Sequence, residues 1–232
     1  MRRTLLILLL ALGLLVAGCG GSSSDDAATS TEAATDATTG AGDTTAGADG
    51  CTDADVPAAR EDGGQTAPKE RLDPEQTYNL VFATNCGSFT VLLDLATAPA
   101  TATSLVSLAR AGFYDDTIFH RIVPGFVIQG GDPTQSGSGG AGYQTVDPPP
   151  ADASYTKGVV AMAKTGAEPP GTSGSQFFVV TGADIGLPAD YAIVGNVTSG
   201  IDVAERIGEL GDPATEKPTR PVVIQSVTVK EQ

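Results

Sequence analysis

Two short segments contain the residue types that could act on a ligand. Residues 119–132 read Phe-His-Arg-Ile-Val-Pro-Gly-Phe-Val-Ile-Gln-Gly-Gly-Asp, which predicts a strand, a Pro-Gly turn and a second strand that breaks at paired glycines. Residues 174–181 contain Phe177 and Phe178, which point to opposite faces if this segment is a strand. One phenylalanine can therefore fill a core while the other faces a ligand, and Arg121 supplies a permanently charged hydrogen-bond donor.

Several other kinds of site are excluded by the residues that the chain lacks. A metal site needs clustered His, Cys or carboxylates, but residues 76–232 contain one His, one Cys and scattered acids. No nucleophile elbow accompanies His120 to make a Ser-His-Asp arrangement. Residues 137–142 match G-x-G-x-x-G but lead to Tyr143 and three prolines rather than to a helix, so a flexible loop is expected there. We expect no metal and no cofactor.

The elements that position these residues follow from the spacing of apolar side chains. Short β-rich runs separated by Gly and Pro predict eight strands: 78–83, 88–95, 118–122, 126–129, 159–163, 176–181, 191–197 and 222–230. Eight strands in a region of this length favour a closed barrel or a sandwich. Residues 98–111 and 200–210 have helical spacing, and a glycine follows each of them.

The chain begins with the pattern of an export signal. Arg2 and Arg3 precede an apolar run that is short for a membrane span, and small residues lead to Cys19. This ending resembles a bacterial lipobox, which predicts that residues 1–18 are a lipoprotein signal peptide and that Cys19 carries lipid. An ordinary signal-peptide site beside an unrelated cysteine is the alternative. Both interpretations predict export, and lipid on Cys19 would anchor the protein to the outer face of the cell membrane.

Residues 19–75 are predicted to be an acidic, disordered linker before a domain at 76–232. The linker contains almost no large apolar side chain, so it cannot bury enough surface to offset its loss of conformational entropy. The whole chain has 13 basic and 28 acidic residues and a formal net charge of −15, which argues against nucleic acid as a partner. We expect the protein to be a monomer.

The two cysteines beyond Cys19 form an even pair. With Cys19 assigned to lipid, Cys51 and Cys86 remain in a compartment where disulfides persist. Their spacing does not show that they lie close together, so a disulfide between them is a hypothesis. Such a bond would tie the end of the linker to the domain.

The two segments described first resemble the signature of the cyclophilin family of peptidyl-prolyl cis-trans isomerases, and the resemblance extends from Tyr78 to Val229. It implies a mainly β fold, a closed eight-stranded antiparallel barrel capped by two α-helices. It also implies that the protein isomerises X-Pro bonds in proline-containing segments of unfolded or exposed polypeptides. The family's catalytic arginine corresponds to Arg121, whose alternative role is a surface ion pair with a nearby acid. The substrate-binding residues implied by the resemblance are His120, Phe126, Val127, Gln129, Ala163, Gln176, Phe178, Leu187 and Tyr191. For His120 a packed structural role is the alternative.

The residue types suit this reaction. Resonance opposes rotation about the X-Pro amide with a barrier of about 18–20 kcal/mol. In the twisted transition state the proline nitrogen regains a lone pair, so a guanidinium can donate a hydrogen bond that the planar ground state accepts less well. Apolar walls around the proline ring exclude water and strengthen that contact.

One departure from the family pattern limits what the resemblance implies. Animal cyclophilins have a Trp that binds cyclosporin at a position that aligns near Gly186, and this chain has no Trp, so we do not expect cyclosporin sensitivity. Two other functions stay open. A non-catalytic holdase on the same barrel would need Arg121 displaced or the groove blocked, and a structural lipoprotein would not need Arg121, Phe126 and Phe178 together.

Overall fold

Eleven strands and two helices make up the regular structure of the described residues. The computed structural model describes Gly47 and residues 49–232. The predicted signal peptide, Cys19 and residues 20–46 and 48 of the predicted linker lie outside the described residues. The strands are β1 (Tyr78–Thr84), β2 (Gly87–Leu93), β3 (Thr117–Ile118), β4 (Arg121–Val123), β5 (Val127–Gly130), β6 (Thr145–Val146), β7 (Val159–Met162), β8 (Thr172–Ser173), β9 (Phe177–Val180), β10 (Ile193–Ser199) and β11 (Val223–Glu231). The helices are α1 (Pro99–Arg110) and α2 (Ile201–Gly208), and neither of these described helices is long and apolar enough to cross a membrane.

Nine strands form one antiparallel sheet in the order β3-β11-β1-β2-β10-β7-β9-β5-β4, and β6 pairs with β8 in a small second sheet. The prediction of a mainly β fold with two helices is confirmed. The prediction of a closed eight-stranded barrel is not confirmed. The sheet curls into an open half-barrel, and its outermost strands, β3 and β4, do not pair with each other. The physical reason lies in the run predicted as one strand, 118–122. It divides at Phe119 and His120, so that β3 pairs with β11 and β4 pairs with β5.

The strands β5, β7 and β9 have apolar side chains on both faces. One set of alternate residues, which includes Ile128 and Phe177, belongs to the main core together with α1 and α2. The other set, which includes Val127 and Phe178, forms a second and smaller apolar cluster. The two adjacent phenylalanines therefore lie on opposite faces, as the period of two along a strand requires.

Residues 49–75 lie along the domain without forming a helix or a strand. We call them the N-terminal strap. Its backbone donates four hydrogen bonds to distant carbonyl oxygens: Thr52 to Asn85 (2.8 Å), Arg60 to Pro133 (2.8 Å), Gly63 to Gly140 (3.0 Å) and Gln65 to Ala141 (3.0 Å). The prediction of disorder is wrong for this part of the linker, because its polar groups find partners on the domain even though few apolar side chains are buried.

A disulfide between Cys51 and Cys86 joins the strap to the turn between β1 and β2. Both residues are buried. The two cysteines are separated by 35 positions in the sequence, so the bond closes a loop that contains nearly the whole strap. It thereby fixes the start of the strap on the domain.

We expect the double substitution Cys51→Ala/Cys86→Ala to lower the free energy of unfolding by about 3 to 4 kcal/mol, because the unfolded chain regains the entropy of that loop. Urea unfolding of the full chain measures the difference. A reducing agent should destabilise the native protein to the level of the variant and leave the variant itself unchanged. Equal urea midpoints for the native and substituted proteins would show that the bond adds no stability.

Candidate active site

The registers of β4, β5 and β9 align residues that are far apart in the sequence. Arg121 lies opposite Gln129 on β5, and Gln129 lies opposite Phe178 on β9. On the far side of β9, Phe178 lies opposite Ala161 of β7. The pairing thus places the guanidinium, the amide and the phenylalanine on successive strands, which local sequence could not specify.

A cavity of about 280 Å³ opens on this face of the sheet. We call it the apolar cavity. It is lined by Arg121, Phe126, Val127, Gln129, Ala163, Lys164, Phe178, Leu187 and Tyr191. Eight of the ten residues predicted for the catalytic and binding site therefore meet here, and His120 and Gln176 do not line this cavity.

Aromatic rings pack closely in the apolar cluster beneath the cavity. The ring of Phe178 lies 5.6 Å from that of Tyr191 and 6.4 Å from that of Tyr155, centroid to centroid. The Tyr155 hydroxyl donates to the carbonyl oxygen of Tyr191 (2.7 Å) and accepts from its backbone N–H (3.0 Å). Burial raises the pKa of Tyr155. Sequence reasoning missed Tyr155, because it lies in an irregular loop with no strand or helix pattern to mark it.

Arg121 is held at the cavity wall by two partners. Its Nε donates to Glu216 Oε2 (2.7 Å) and its Nη1 donates to Gln129 Oε1 (3.3 Å). The ion pair with Glu216 is half exposed, so it contributes little to stability. It does fix one edge of the planar guanidinium. The other N–H groups have no partner among the described residues and are available to a ligand in the cavity.

The hydrogen bonds continue from Gln129 to a neighbouring loop. Gln129 Nε2 donates to Gln176 Oε1 (3.0 Å), and Gln176 Nε2 donates to the carbonyl oxygens of Gly137 (3.0 Å) and Gly139 (2.9 Å). The loop itself is organised around Asp132, which is fully buried. Its carboxylate accepts from the backbone N–H groups of Thr134 (2.7 Å), Gly137 (2.6 Å) and Gly139 (3.2 Å). Burial would raise the pKa of Asp132, but these hydrogen bonds outweigh it and the pKa is lowered.

A second and more open cavity of about 650 Å³ adjoins the first. We call it the groove. It shares Gln129, Ala163 and Lys164 with the apolar cavity and is also lined by Gln176. Gln176 therefore lines the groove and not the apolar cavity, and it contacts Gln129, which lines both.

Lys164 lines both cavities, and sequence reasoning missed it. Its side chain is 2% exposed and its ammonium lies 2.6 Å from Asp190 Oδ2. The ammonium also donates to the carbonyl oxygens of Thr165 (3.2 Å) and Glu168 (3.0 Å) and lies 5.5 Å from the ring centroid of Tyr191. No local pattern marks these contacts, because they depend on how the loop after β7 folds against Asp190.

His120 lies outside both cavities. Its two ring nitrogens are buried and have no hydrogen-bond partner among the described residues. Burial lowers the pKa of His120, against the opposing effect of the Asp132 carboxylate, which favours the neutral form of the ring. Of the two predicted roles, packing is favoured over a wall of the groove, because the ring nitrogens are buried and the residue lines neither cavity.

Comparison with known proteins agrees with this geometry. A model of the family described as cyclophilin type peptidyl-prolyl cis-trans isomerase/CLD matches residues 79–229. The chain is 38% identical over 160 residues to a peptidyl-prolyl cis-trans isomerase-like 1 of Gibberella zeae, a match that covers 67% of this chain and 97% of that protein. It is 37% identical over 150 residues to the peptidyl-prolyl cis-trans isomerase ppi1 of Schizosaccharomyces pombe, covering 63% of this chain and 95% of that one.

The fold is also similar to that of solved structures. A crystal structure of a Cryptosporidium parvum cyclophilin type peptidyl-prolyl cis-trans isomerase matches with a TM-score of 0.61 and 30% identity, over 66% of this chain and 98% of that chain. A second crystal structure of that protein, obtained in the presence of the dipeptide Ala-Pro, matches with a TM-score of 0.60 and 29% identity over the same shares of both chains. The chain therefore belongs to the cyclophilin family and is a cyclophilin-type peptidyl-prolyl cis-trans isomerase, an enzyme of class EC 5.2.1.8.

Proposed function

We propose that this isomerase accelerates the rotation of X-Pro bonds in exported or envelope proteins and so assists their folding. The observation that supports this most directly is the apolar cavity with the Arg121 guanidinium in its wall. The similar Cryptosporidium parvum structure obtained in the presence of Ala-Pro supports a proline-containing peptide as the substrate.

The apolar cavity accommodates the proline ring of the substrate. Phe126, Phe178 and Leu187 supply apolar walls, and the ring of Tyr191 packs beside Phe178. Removing the three ring methylenes of proline from water contributes about 2 kcal/mol to binding, at about 0.8 kcal/mol for each CH₂. The ring is thereby held still while the peptide on the other side of the amide rotates.

Arg121 stabilises the twisted amide. As the amide loses planarity, its nitrogen gains a lone pair, and a free N–H of the guanidinium donates a hydrogen bond to it. Gln129 and Glu216 hold the guanidinium, so little reorganisation is needed when that lone pair forms. Rotation breaks no σ bond and moves no proton, so these residues need no cofactor.

Substitution of Arg121 by Ala is expected to reduce kcat/KM by about 10²- to 10³-fold, the range found when one preorganised donor to a developing charge is removed. The measurement is a protease-coupled assay on a proline-containing peptide, with the full chain treated with a chelator. The melting temperature should change little, because Arg121 lies in a half-exposed ion pair.

Arg110→Ala is the matched control, because Arg110 also forms an exposed ion pair, with Glu231, and does not line either cavity. It should keep the native rate. Native turnover in Arg121→Ala would disprove the role of Arg121. If the native chain bound the peptide without accelerating its isomerisation, the holdase interpretation would replace the catalytic one.

We further propose that lipid on Cys19 anchors the protein to the outer face of the cell membrane. The support is the sequence alone, namely an apolar run closed by small residues immediately before Cys19. One acyl chain binds a membrane only marginally, whereas the several chains of a lipoprotein anchor bind stably. The anchor would keep the isomerase where exported chains emerge.

Cys19→Ser should release the protein from the membrane fraction or leave its signal peptide uncleaved. Cell fractionation and the mass of the mature protein measure these outcomes. Ser22→Ala serves as the control, because it changes a residue close to Cys19 without removing the proposed lipid site or the Cys51–Cys86 disulfide. Recovery of a normally processed Cys19→Ser protein in salt-washed membranes would show that Cys19 is not the anchor.

A further inference from the structure

The N-terminal strap contacts the loop that borders the groove. The backbone N–H groups of Gly63 and Gln65 donate to the carbonyl oxygens of Gly140 and Ala141, each at 3.0 Å. In return, the Asp62 carboxylate accepts from the N–H of Gly140 at 2.7 Å. These three hydrogen bonds fix the strap against the loop.

Two glycines allow the backbones to approach closely at this point. A Cβ on Gly142 would lie 2.9 Å from the Cα of Gly63, which is closer than side-chain carbons normally approach. Gly142 has φ of +91° and Gly63 has φ of +75°, a region that L side chains rarely adopt. The close approach places the neighbouring Asp62 at the groove.

Asp62 lines the groove together with Gln129 and Gln176. Gln129 also lines the apolar cavity and contacts Arg121, so the groove is continuous with the site of isomerisation. The family match begins only at residue 79. Asp62, which lines the groove next to the catalytic site, therefore precedes the region that the family model matches.

The charges that face the groove are predominantly negative. The ammonium of Lys164 is already paired with Asp190 and has two further carbonyl partners, so it adds little positive potential. The Glu168 carboxylate accepts from the backbone N–H (2.6 Å) and the hydroxyl (2.9 Å) of Thr165. These bonds hold the pKa of Glu168 below its ordinary value. Asp62 lies on the strap side of the same groove.

We propose that the strap is part of the substrate site and that Asp62 makes the isomerase prefer segments with Lys or Arg close to the proline. This inference rests on the proposed assignment of the proline ring to the apolar cavity. When the proline of a substrate lies in that cavity, the residues next to the proline lie in the groove. A long basic side chain there is attracted by the Asp62 and Glu168 carboxylates. An acidic side chain in the same place is repelled.

The test measures kcat/KM of the full chain on peptides that contain one proline. Lys, Gln or Glu is placed in turn at each of the two positions before and the two positions after it. At one of these positions the native protein should favour Lys over Glu by about 3- to 10-fold at low salt, because the attraction of Lys and the repulsion of Glu, each of the size of a solvent-exposed charge interaction, add in this ratio. The ratio should be smaller at high salt. Asp62→Asn should reduce that ratio at least twofold. Asn keeps an oxygen that can accept from Gly140, so the strap stays in place while the charge is removed.

Glu61→Gln is the matched control, because Glu61 is exposed, adjacent to Asp62 and does not line the groove. It should keep the native ratio. Glu168→Gln is an independent variant on the other side of the groove and should also lower the ratio, which keeps the proposal testable if Asp62→Asn perturbs the strap.

Turnover of the Gln peptides separates this inference from the proposed function. If those peptides are isomerised normally but no position favours Lys over Glu, the charge preference is wrong. The same conclusion follows if Asp62→Asn keeps the native ratio or slows all peptides equally. If the Gln peptides are not isomerised by the native protein, the proposed catalytic function is wrong instead.

Discussion

The alternation of side chains along β9 is the constraint on which both the core and the site depend. Phe177 packs in the core against Phe82, Tyr114 and Phe119, while Phe178, its neighbour, packs against Tyr155 and Tyr191 under the apolar cavity. Because successive residues of a strand point to opposite faces, a shift of one residue in the register would exchange the two. The register that places Phe177 in the core therefore also places Phe178 under the apolar cavity.

A chain of polar contacts connects this apolar surface to the surrounding loops. It begins at Glu216, passes through Arg121, Gln129 and Gln176, and ends at carbonyl groups of the loop organised by Asp132. The buried Asp132 carboxylate is tolerated because several backbone N–H groups donate to it. Groups in such a network hold one another in place, which is how a long and half-exposed arginine keeps one orientation beside an apolar cavity.

The strap shows that a polar and irregular segment can still be ordered. It has few apolar side chains to bury, but a disulfide fixes its beginning and hydrogen bonds to the domain satisfy its backbone further along. Each of these contacts lowers the entropic cost of the next, because the intervening chain is already confined. The result is an additional wall of the groove, built from residues that precede the family-matched region.

The sequence by itself determined the local elements and the family. The spacing of apolar residues predicted β1, β2, β5, β7, β9, β10 and β11 and the two helices to within a few residues, because the strand and helix patterns are local. The signature segments also predicted most of the residues that line the apolar cavity. The tertiary structure alone decided how the predicted strand 118–122 divides, where His120 lies, and that Tyr155, Lys164 and Asp62 border the site. These features depend on contacts between residues far apart in the chain, and the order of the strap depends on hydrogen bonds to partners that its own composition does not reveal.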